Sequence, residues 1–259
     1  MLSVEQTLIK KFINISEKGW IKSLSLGNNG VGITFEKLLG INQNELEIPD
    51  YNGIEIKTKR YSSSSYITLF SSKPEGPRYH EVERIKDEFG YPHKILKKYK
   101  VLNNSVYCNT KNKIGVNYYF QLYIDRNLKK IYLMVFNLKG DLIEKEVYWD
   151  FDTLEEKIKR KLTKLVLIKA YSKKDEKTSE EYFKYHSLKF YHFKDFDTFI
   201  NLLEKGIIRL NFKLNIITKG DSIGKIHDHG TSFDILEKDL YKLYNCYDRY
   251  WFGTKKRNI

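Results

Sequence analysis

Three strand-like runs between residues 117 and 151 constrain the fold of this chain more than any other feature. They read NYYFQLYID, KKIYLMVFN and LIEKEVYWDF, and Lys139-Gly140-Asp141 supplies the turn between the last two. Runs of this kind, separated by turn residues, predict an antiparallel meander. Helical patterns occur at residues 3–18, 154–162 and 195–206. We therefore predict an α/β fold, with a mixed central sheet flanked by helices and an inserted lobe.

The charge of the chain indicates its class of partner. Of 259 residues, 46 are Lys or Arg and 33 are Asp or Glu, which gives a formal net charge of +13. This excess favours a polyanion, and DNA or RNA is the first candidate. A second interpretation stays open, because a proteome rich in Lys, Asn and Ile also yields basic proteins. The hydrophobic residues, 41% of the total, supply a core and exclude a disordered chain.

The sequence carries no sign of a membrane span, a leader or a disulfide framework. No run of about 18 apolar residues occurs, and the first residues, MLSVEQTLIKKFINIS, lack the apolar core of a signal peptide. Cys108 and Cys246 are far apart and have no metal-ligand spacing. We expect a soluble cytoplasmic protein without membrane contact.

Residues 48–60, IPDYNGIEIKTKR, contain the most informative short motif. Asn52-Gly53 between two extended segments is a strong signal for a β-hairpin. Side chains alternate between faces in the strand that follows. Glu55 and Lys57 therefore share one face, opposite an apolar face that points to the core, and Asp50 approaches from the other arm of the hairpin.

Three residue types in this hairpin suit phosphodiester hydrolysis, in the spacing PD-x4-E-x-K. Asp50 and Glu55 offer the hard oxygen ligands that Mg²⁺ prefers, and the carbonyl of Ile56 could add another. Lys57 offers a cation that orients the attacking water or stabilises developing charge. The same residues also suit a surface hairpin with a Glu-x-Lys ion pair, and so short a motif does not decide between the two.

A further carboxylate lies upstream, in GVGITFEKLLG at residues 30–40. The glycine-rich segment 25–33 predicts a loop, and FEKLLGI predicts the helix that follows it. Glu36 lies near the start of this helix. It is either a solvent-facing helical residue or a second acidic residue directed at the metal site.

Several motifs, taken in order, resemble the MvaI/BcnI group of restriction endonucleases, whose wider relatives include the MutH mismatch-repair nicking enzyme. They are GVGITFEKLLG, PDYNGIEIKTKR, ITLF, VYWDFDTLEEKIKRKL and KIHDHGTSF, and the resemblance covers residues 20–233. It implies the PD-(D/E)XK nuclease fold, Mg²⁺ dependence and cleavage of double-stranded DNA at a short specific site. It also implies that Asp50, Glu55 and Lys57 are catalytic and that Glu36 supports the metal site.

The resemblance further implies a monomer with two lobes around the DNA, which nicks one strand and then the other. It implies a cognate DNA methyltransferase encoded nearby. We expect a catalytic lobe at about residues 1–73 and 114–173, and a DNA-recognition lobe at about residues 180–250. The lobe to which residues 74–113 belong is left open.

Base reading is expected on the strand-like segment IIRLNFKLN. Arg209, Asn211 and Lys213 alternate with apolar residues and so share one face. Arg and Lys donate to guanine and Asn pairs with adenine, although a half-exposed strand in water carries the same pattern. In the resembling family the equivalents of Asn211 and Lys213 tend to be Asp and Arg. This departure implies a target that differs from the family's familiar C/G-rich site.

The segment KIHDHGTSF and several scattered cations supply further candidate DNA contacts. The run His227-Asp228-His229 suggests a metal site, but no additional ligand spacing accompanies it. Its position in the resembling family instead assigns His227, Asp228 and His229 to contacts with bases or phosphates. Phosphate contacts are also expected from Lys59, Arg60, Arg78 and Lys225.

Three functions follow as candidates. The leading one is a type II restriction endonuclease. The second is a MutH-like, strand-specific repair nickase with the same catalytic residues. The third is a catalytically inactive DNA-binding protein, against which the intact set of Asp50, Glu55 and Lys57 argues.

Overall fold

The computed structural model describes residues 2–41, 49–78, 80–228 and 230–251. Its α-helices are α1 (Val4–Glu17), α2 (Gly30–Leu39), α3 (Glu81–Phe89), α4 (Phe151–Leu162), α5 (Phe196–Glu204) and α6 (Leu240–Leu243). Its strands are β1 (Ile21–Lys22), β2 (Glu55–Arg60), β3 (Tyr66–Ser71), β4 (Tyr91–Pro92), β5 (Lys100–Val106), β6 (Asn112–Ile114), β7 (Tyr118–Asp125), β8 (Lys130–Asn137), β9 (Leu142–Glu144), β10 (Tyr148–Asp150), β11 (Lys164–Lys174), β12 (Glu181–Phe193), β13 (Ile208–Ile216), β14 (Ile226–Asp228), β15 (Ser232–Leu236) and β16 (Tyr244–Trp251). None of the described helices has the length and apolar character that a membrane span requires.

The chain forms two compact units. The first takes its described residues from 1–65, 159–194 and 244–259, and the second takes them from 66–158 and 195–243.

The first unit contains a mixed sheet. Its strand order is β1-β12-β11-β2, and β16 also pairs with β12. The pair β2 and β11 is parallel, whereas β12 runs antiparallel to β1, β11 and β16. This is the mixed sheet that the sequence predicts, and its one parallel pair places the start of β11 beside the start of β2.

Helices α1 and α2 bury their apolar sides in the core of this unit. The core contains Leu8 and Phe12 of α1, Phe35 of α2, and Ile56 and Val166 of the sheet. The predicted helix at residues 3–18 is confirmed as α1, which Ser3 and Gln6 close with a reciprocal capping box. Helices flank the sheet, as predicted.

The predicted loop at residues 25–33 is wrong in its second half, because α2 begins at Gly30. A Cβ atom at this position would lie 2.8 Å from Oγ of Ser23 and 2.9 Å from the carbonyl oxygen of Ser25. Glycine therefore serves close packing at the start of a helix here, and not the flexibility of a loop.

The second unit contains the predicted meander. Strands β7 and β8 pair antiparallel along their full length. The third predicted run divides into β9 and β10, and both pair with β8. A second sheet has the order β3-β15-β13-β5-β4, with β14 also paired to β13. The indole nitrogen of the buried Trp149 donates to the carbonyl of Ser72, 3.0 Å away, and so ties β10 to the segment after β3.

The boundaries of the two units differ from those of the expected lobes. Residues 114–158 were expected in the catalytic lobe and lie in the second unit, because β7 and β8 pair with β6 and β10 and not with β2 or β11. Residues 181–193 were expected in the recognition lobe and form the central strand β12 of the first unit. Residues 74–113, which the sequence assigns to neither lobe, belong to the second unit. Which unit cuts DNA and which reads it stays a prediction.

Candidate active site

The hairpin before β2 is formed by a two-residue turn. Tyr51 and Ile54 exchange both backbone hydrogen bonds, at 3.0 and 2.9 Å. Asn52 and Gly53 between them have φ values of 44° and 86°. Positive φ at both central residues matches a type I′ turn, for which Asn-Gly is the preferred sequence. The predicted hairpin is confirmed.

The turn brings Asp50 back to the strand. Its Oδ2 accepts a hydrogen bond from the backbone nitrogen of Ile56, 2.8 Å away. The N–H and C=O groups of one residue in a strand point to the same side. The carbonyl of Ile56 therefore faces the same open edge of β2 as Asp50, away from β11.

Glu55 and Lys57 share the predicted face of β2. Nζ of Lys57 lies 2.6 Å from Oε1 of Glu55. Ile54 and Ile56 point to the opposite, buried side and belong to the core. Glu55 is only 1% exposed, so the motif is not a solvated surface hairpin. A buried carboxylate requires compensation by cations, hydrogen bonds or a metal.

A third charged residue, Lys161, joins this pair. It lies in the last turn of α4, and its Nζ is 3.7 Å from the same Oε1 of Glu55. Lys161 is not predicted from the sequence. It reaches the site because α4 ends just before β11, whose first residues lie opposite Glu55 in the parallel register. The available signal was the basic end of α4, KIKRKL, immediately before that buried strand.

Burial dominates the electrostatics of Glu55. It raises the pKa of this carboxyl above its usual value; the charges of Lys57 and Lys161 lower it, and that of Asp50 raises it. Tyr244, at the start of β16, is also buried, and burial and the charge of Glu55 raise its pKa. The negative charges of Asp50 and Glu55 therefore disfavour each other, unless a cation binds between the two carboxylates.

One oxygen of Glu55 is left for such a cation. Oε1 faces the two lysines, whereas the buried Oε2 has no hydrogen-bond partner in the described part of the chain. Two carboxylates and a carbonyl, all oxygen donors, fit a hard divalent cation. The described residues contain no cluster of three or more His, Cys, Asp or Glu side chains that could hold a metal. Among the described residues, a metal here would therefore draw on Asp50, Glu55 and the Ile56 carbonyl, completed by water or substrate.

The second unit contains the predicted polar strand. Along β13, apolar residues are buried and the intervening residues are half-exposed. Arg209, Asn211 and Lys213 share one face, as predicted, and all three approach the same carboxylate, Asp234 of β15. The distances to its oxygens are 3.4 Å from Arg209, 3.1 Å from Asn211 and 3.9 Å from Lys213. The sequence reasoning missed Asp234, whose signal is a lone acidic residue between apolar ones in SFDIL.

Comparison with known proteins bears on both sites. A model of the MvaI/BcnI restriction endonuclease family matches residues 9–244, which is most of the chain. The chain belongs to the MvaI/BcnI restriction endonuclease family. It is thus a type II site-specific endonuclease.

Solved structures agree with this membership of the MvaI/BcnI family. The restriction endonuclease MvaI in complex with its cognate DNA substrate has a TM-score of 0.87 and 30% sequence identity, over 95% of this chain and 98% of that chain. MvaI in the absence of DNA has a TM-score of 0.60 and 27% identity over the same shares. No match was found among curated proteins. The predicted restriction-endonuclease-like fold is confirmed.

Glu36 of this MvaI/BcnI-family endonuclease lies on α2, beside Gly32 and Thr58. A Cβ atom on Gly32 would lie 2.9 Å from Oγ1 of Thr58 and 3.7 Å from Oε1 of Glu36. Because side chains alternate along β2, Thr58 shares the side of Ile56 and not that of Glu55. The geometry associates Glu36 with the α2 side of the strand, and its support of a metal site stays a prediction.

The first unit gives two of the expected phosphate contacts a structural role. Lys59 is 6% exposed, and its ammonium donates to the carbonyl of Ser65. Arg60 forms two parallel 2.7 Å hydrogen bonds with the carboxylate of Glu181. Both side chains hold β2 to its surroundings, and their contact with DNA stays a prediction.

The remaining expected contacts lie in the second unit. Arg78, Lys225 and His227 are exposed. Asp228 accepts from the backbone nitrogen of Gly230 at 2.7 Å and lies 3.4 Å from Nζ of Lys73. His229 falls outside the described residues. The DNA contacts of this group stay predictions.

Proposed function

We propose that this endonuclease cleaves double-stranded DNA at a short site with Mg²⁺ held by Asp50, Glu55 and the carbonyl of Ile56. One observation carries the proposal: within the described residues, the buried Oε2 of Glu55 has no hydrogen-bond partner, while Oε1 is held by lysine. An unsatisfied buried carboxylate oxygen is costly, and a divalent cation would satisfy it. Glu36 would support this site from α2.

The chain's own groups then prepare a phosphate for attack. When bound, Mg²⁺ polarises a phosphoryl oxygen and lowers the pKa of water. The hydrogen bond from Ile56 N fixes the Asp50 carboxylate at the edge of β2. Lys57, held by Glu55 2.6 Å away, presents a cation that orients the attacking water or stabilises the charge that develops on the phosphate.

Double-stranded DNA is the proposed substrate because of three supports. The MvaI structure with 30% identity contains its cognate DNA substrate. The net charge of +13 favours a polyanion. The polar face of β13 carries groups that read base edges, namely Arg209, Asn211 and Lys213. The exposed Lys225, His227 and Arg78 would contribute further contacts, as would Lys59, Arg60, Asp228 and His229.

A plasmid-cleavage assay tests the catalytic assignment. Lys57→Ala should abolish Mg²⁺-dependent cleavage while the dissociation constant for DNA in Ca²⁺ changes only a few-fold. Lys139→Ala is the matched control, because Lys139 is an exposed residue in the turn after β8. Normal cleavage by Lys57→Ala would show that the assignment is wrong. Defined fragments from several DNAs are expected of the wild type, and their ends give the site.

The proposal includes a monomer that cuts the two strands in sequence. Sedimentation should then give a mass near 30.9 kDa, and nicked circles should precede linear plasmid. Nicked circles that never become linear would instead indicate the MutH-like nickase. We further propose a cytoplasmic location. We also propose a cognate methyltransferase that modifies the site, so DNA from the source cells should resist cleavage.

A further inference from the structure

Asp234 is the least exposed charged group on the polar face of β13. The residue is 2% exposed. Its Oδ1 accepts from Oγ of Ser232 at 2.7 Å and from Oγ1 of Thr68 at 3.1 Å. Both hydroxyls belong to strands of the same sheet, β15 and β3. The carboxylate is therefore fixed in position by rigid elements.

The fixed carboxylate orients Asn211. A carboxylate accepts hydrogen bonds and donates none. Asn211 must therefore turn its Nδ2 to Oδ2 of Asp234, which it contacts at 3.1 Å. Its Oδ1, which lies 3.5 Å from Oγ of Ser105, and its second N–H share the remaining edge of the amide. A bidentate contact with adenine requires both an acceptor and a donor in that arrangement.

Arg209 is held from two directions. Its Nη2 lies 3.4 Å from Oδ2 of Asp234, and the centre of its guanidinium lies 3.3 Å from the centroid of the Tyr66 ring. The Asp234 carboxylate restricts rotation of the guanidinium, and the Tyr66 ring restricts the plane in which the guanidinium lies. Lys213 completes the cluster, because its Nζ reaches Oγ1 of Thr68 at 3.3 Å.

We propose that Asp234 and Tyr66 are specificity-determining positioning residues of this endonuclease. They hold Arg209 and Asn211 in one orientation before any base is present. A group held in one orientation donates well to one base edge, whereas a freely rotating group also serves wrong bases and phosphates. The inference rests on the proposed function of β13 as the reading strand.

The test compares kcat/KM on the cognate site with kcat/KM on each single-base variant of it. Asp234→Asn keeps the size of the side chain but adds a donor and removes the charge. It should lower the discrimination ratio roughly tenfold or more, while affinity for non-cognate DNA stays within about twofold. Asp239→Asn is the matched control, since Asp239 is an acidic residue of the same unit whose ion-pair partner is Lys242, 2.7 Å away. An unchanged ratio in folded Asp234→Asn protein overturns the proposal.

Two further variants keep the outcome decisive. If Asp234→Asn does not fold, Tyr66→Leu removes the ring under Arg209, with Tyr107→Phe as a control that removes only the hydroxyl partner of Tyr66. Equal ratios for these two variants would also overturn the proposal. Arg209→Ala separates the two levels of inference: if it leaves discrimination unchanged, β13 does not read bases and the proposed function of this strand fails.

A second inference concerns the first unit, where the face of the sheet that carries Glu55 and Lys57 continues along β11. Paired residues of neighbouring strands project to the same face. The parallel register sets Leu165 opposite Glu55 and Lys169 opposite Lys59. The face is apolar and buried at Leu165 and then becomes basic and aromatic.

This basic part contains two neighbouring groups of side chains along β11, which together we call the lysine–aromatic face. It comprises Trp20, Tyr61, Lys169, Tyr171, Lys173 and His186. The ring of Tyr171 lies 4.8 Å from that of Tyr61 and 4.9 Å from that of His186. Lys169 lies 5.0 Å from the Tyr61 ring, and Lys173 lies 4.7 Å from the Trp20 ring. Tyr171, Trp20 and Tyr61 are 38%, 41% and 51% exposed, so the face is accessible to a partner.

We infer that the lysine–aromatic face binds the phosphate backbone of duplex DNA outside the recognition site. Rings that hold ammonium groups by cation–π contact reduce the freedom these groups lose on binding. The face is cationic, the proposed substrate is a polyanion, and the sheet face is shared with the proposed catalytic pair. The inference rests on the proposed DNA substrate.

Binding of two duplexes tests this inference, one ending close to the recognition site and one extending well beyond it. Lys169→Gln/Lys173→Gln should reduce the slope of log K against log salt by about two on the long duplex and leave the short one unchanged. Lys139→Gln/Lys177→Gln, in two exposed turns, is the matched control. Equal slopes for both double variants on the long duplex overturn the inference. A wild type without any salt dependence would instead contradict the DNA substrate itself.

Discussion

At the residue scale, the two oxygens of Glu55 have different surroundings. Two lysines face Oε1, and Oε2 has no partner within the described residues. One lysine would leave a buried carboxylate only partly compensated. Lys161 supplies the second cation, so Lys57 is not the sole counterion of Glu55 and stays available to a phosphate.

We predict that Lys161→Met lowers the single-turnover cleavage rate about 10- to 100-fold, because groups that hold a ligand in place have effects of that size. DNA affinity should change little, and Lys161→Arg should retain most of the rate. Lys164→Met is the matched control, since Lys164 pairs with Glu5 at 2.8 Å and not with Glu55. A Lys161→Met enzyme that cuts at the wild-type rate would remove Lys161 from the site.

Cys108 gives a pH-dependent prediction at the same scale. Burial, with a contribution from the charge of Glu204, raises the pKa of this thiol from 9.0 to about 12. At pH 8 the native thiol should react with iodoacetamide on the order of a thousandfold more slowly than in the unfolded chain, since only the thiolate reacts. The raised pKa also contributes stability that is complete below pH 9 and is lost as the pH rises toward 12. Peptide mass spectrometry of native and urea-unfolded samples measures the rates, and equal rates would contradict the prediction.

At the scale of elements, the hairpin is the feature that connects local sequence to the site. Gly53, at φ of 86°, closes the turn that returns Asp50 to the edge of β2. The turn type is encoded by two residues, whereas the burial of Glu55 depends on the unit around it. Local encoding of the turn makes this element a target for a matched pair of substitutions.

We predict that Gly53→Ala and Gly140→Ala each lower the free energy of unfolding by about 1 kcal/mol, because an L-residue is strained in the left-handed region. Gly140 has φ of 92°, and at neither glycine does a described residue other than the chain neighbours place a heavy atom within 4 Å of an added Cβ. Only Gly53→Ala should also reduce cleavage, since it displaces Asp50. Urea unfolding measures the stability effect, and plasmid cleavage measures the activity effect. Equal cleavage by both variants would show that the Asn52-Gly53 turn does not position Asp50 for cleavage.

At the scale of the whole molecule, charge is the property that matters most. The formal charge of +13 is the balance of 46 basic and 33 acidic residues, and many of the basic residues are bound to carboxylates, as Arg84 is to Glu81 and Glu144. Basic residues whose charge is offset by a carboxylate of the protein contribute less to the neutralisation of phosphates. The count of DNA contacts is therefore smaller than the count of basic residues.

We predict that DNA affinity falls steeply with salt. If about 6–10 phosphates are neutralised, the slope of log K against log salt lies between about −5 and −9. Fluorescence anisotropy in Ca²⁺ between 50 and 200 mM salt measures it. A non-cognate duplex should give a similar slope, because phosphates carry no sequence information. A flat dependence would contradict binding through the backbone.

Some features were decided by local sequence. The helix α1, the Asn-Gly turn and the two-residue period of β13 each rest on interactions within a few residues, and the sequence predicts each of them. The strand β12 was missed, because a central strand buries parts of both faces and so loses a clean alternation. The fold class and the pattern PD-x4-E-x-K were likewise readable from the sequence.

The sequence by itself determined that Asp50, Glu55 and Lys57 meet at one hairpin, since the turn and the alternation of a strand are local. Only the tertiary structure decided that Lys161 approaches Glu55 and that Asp234 lies behind Arg209 and Asn211. These contacts join residues more than 20 positions apart, and they depend on the parallel register of β11 with β2 and the antiparallel register of β13 with β15. Strand register is fixed by the burial of whole faces in the folded chain, and a short motif does not contain it.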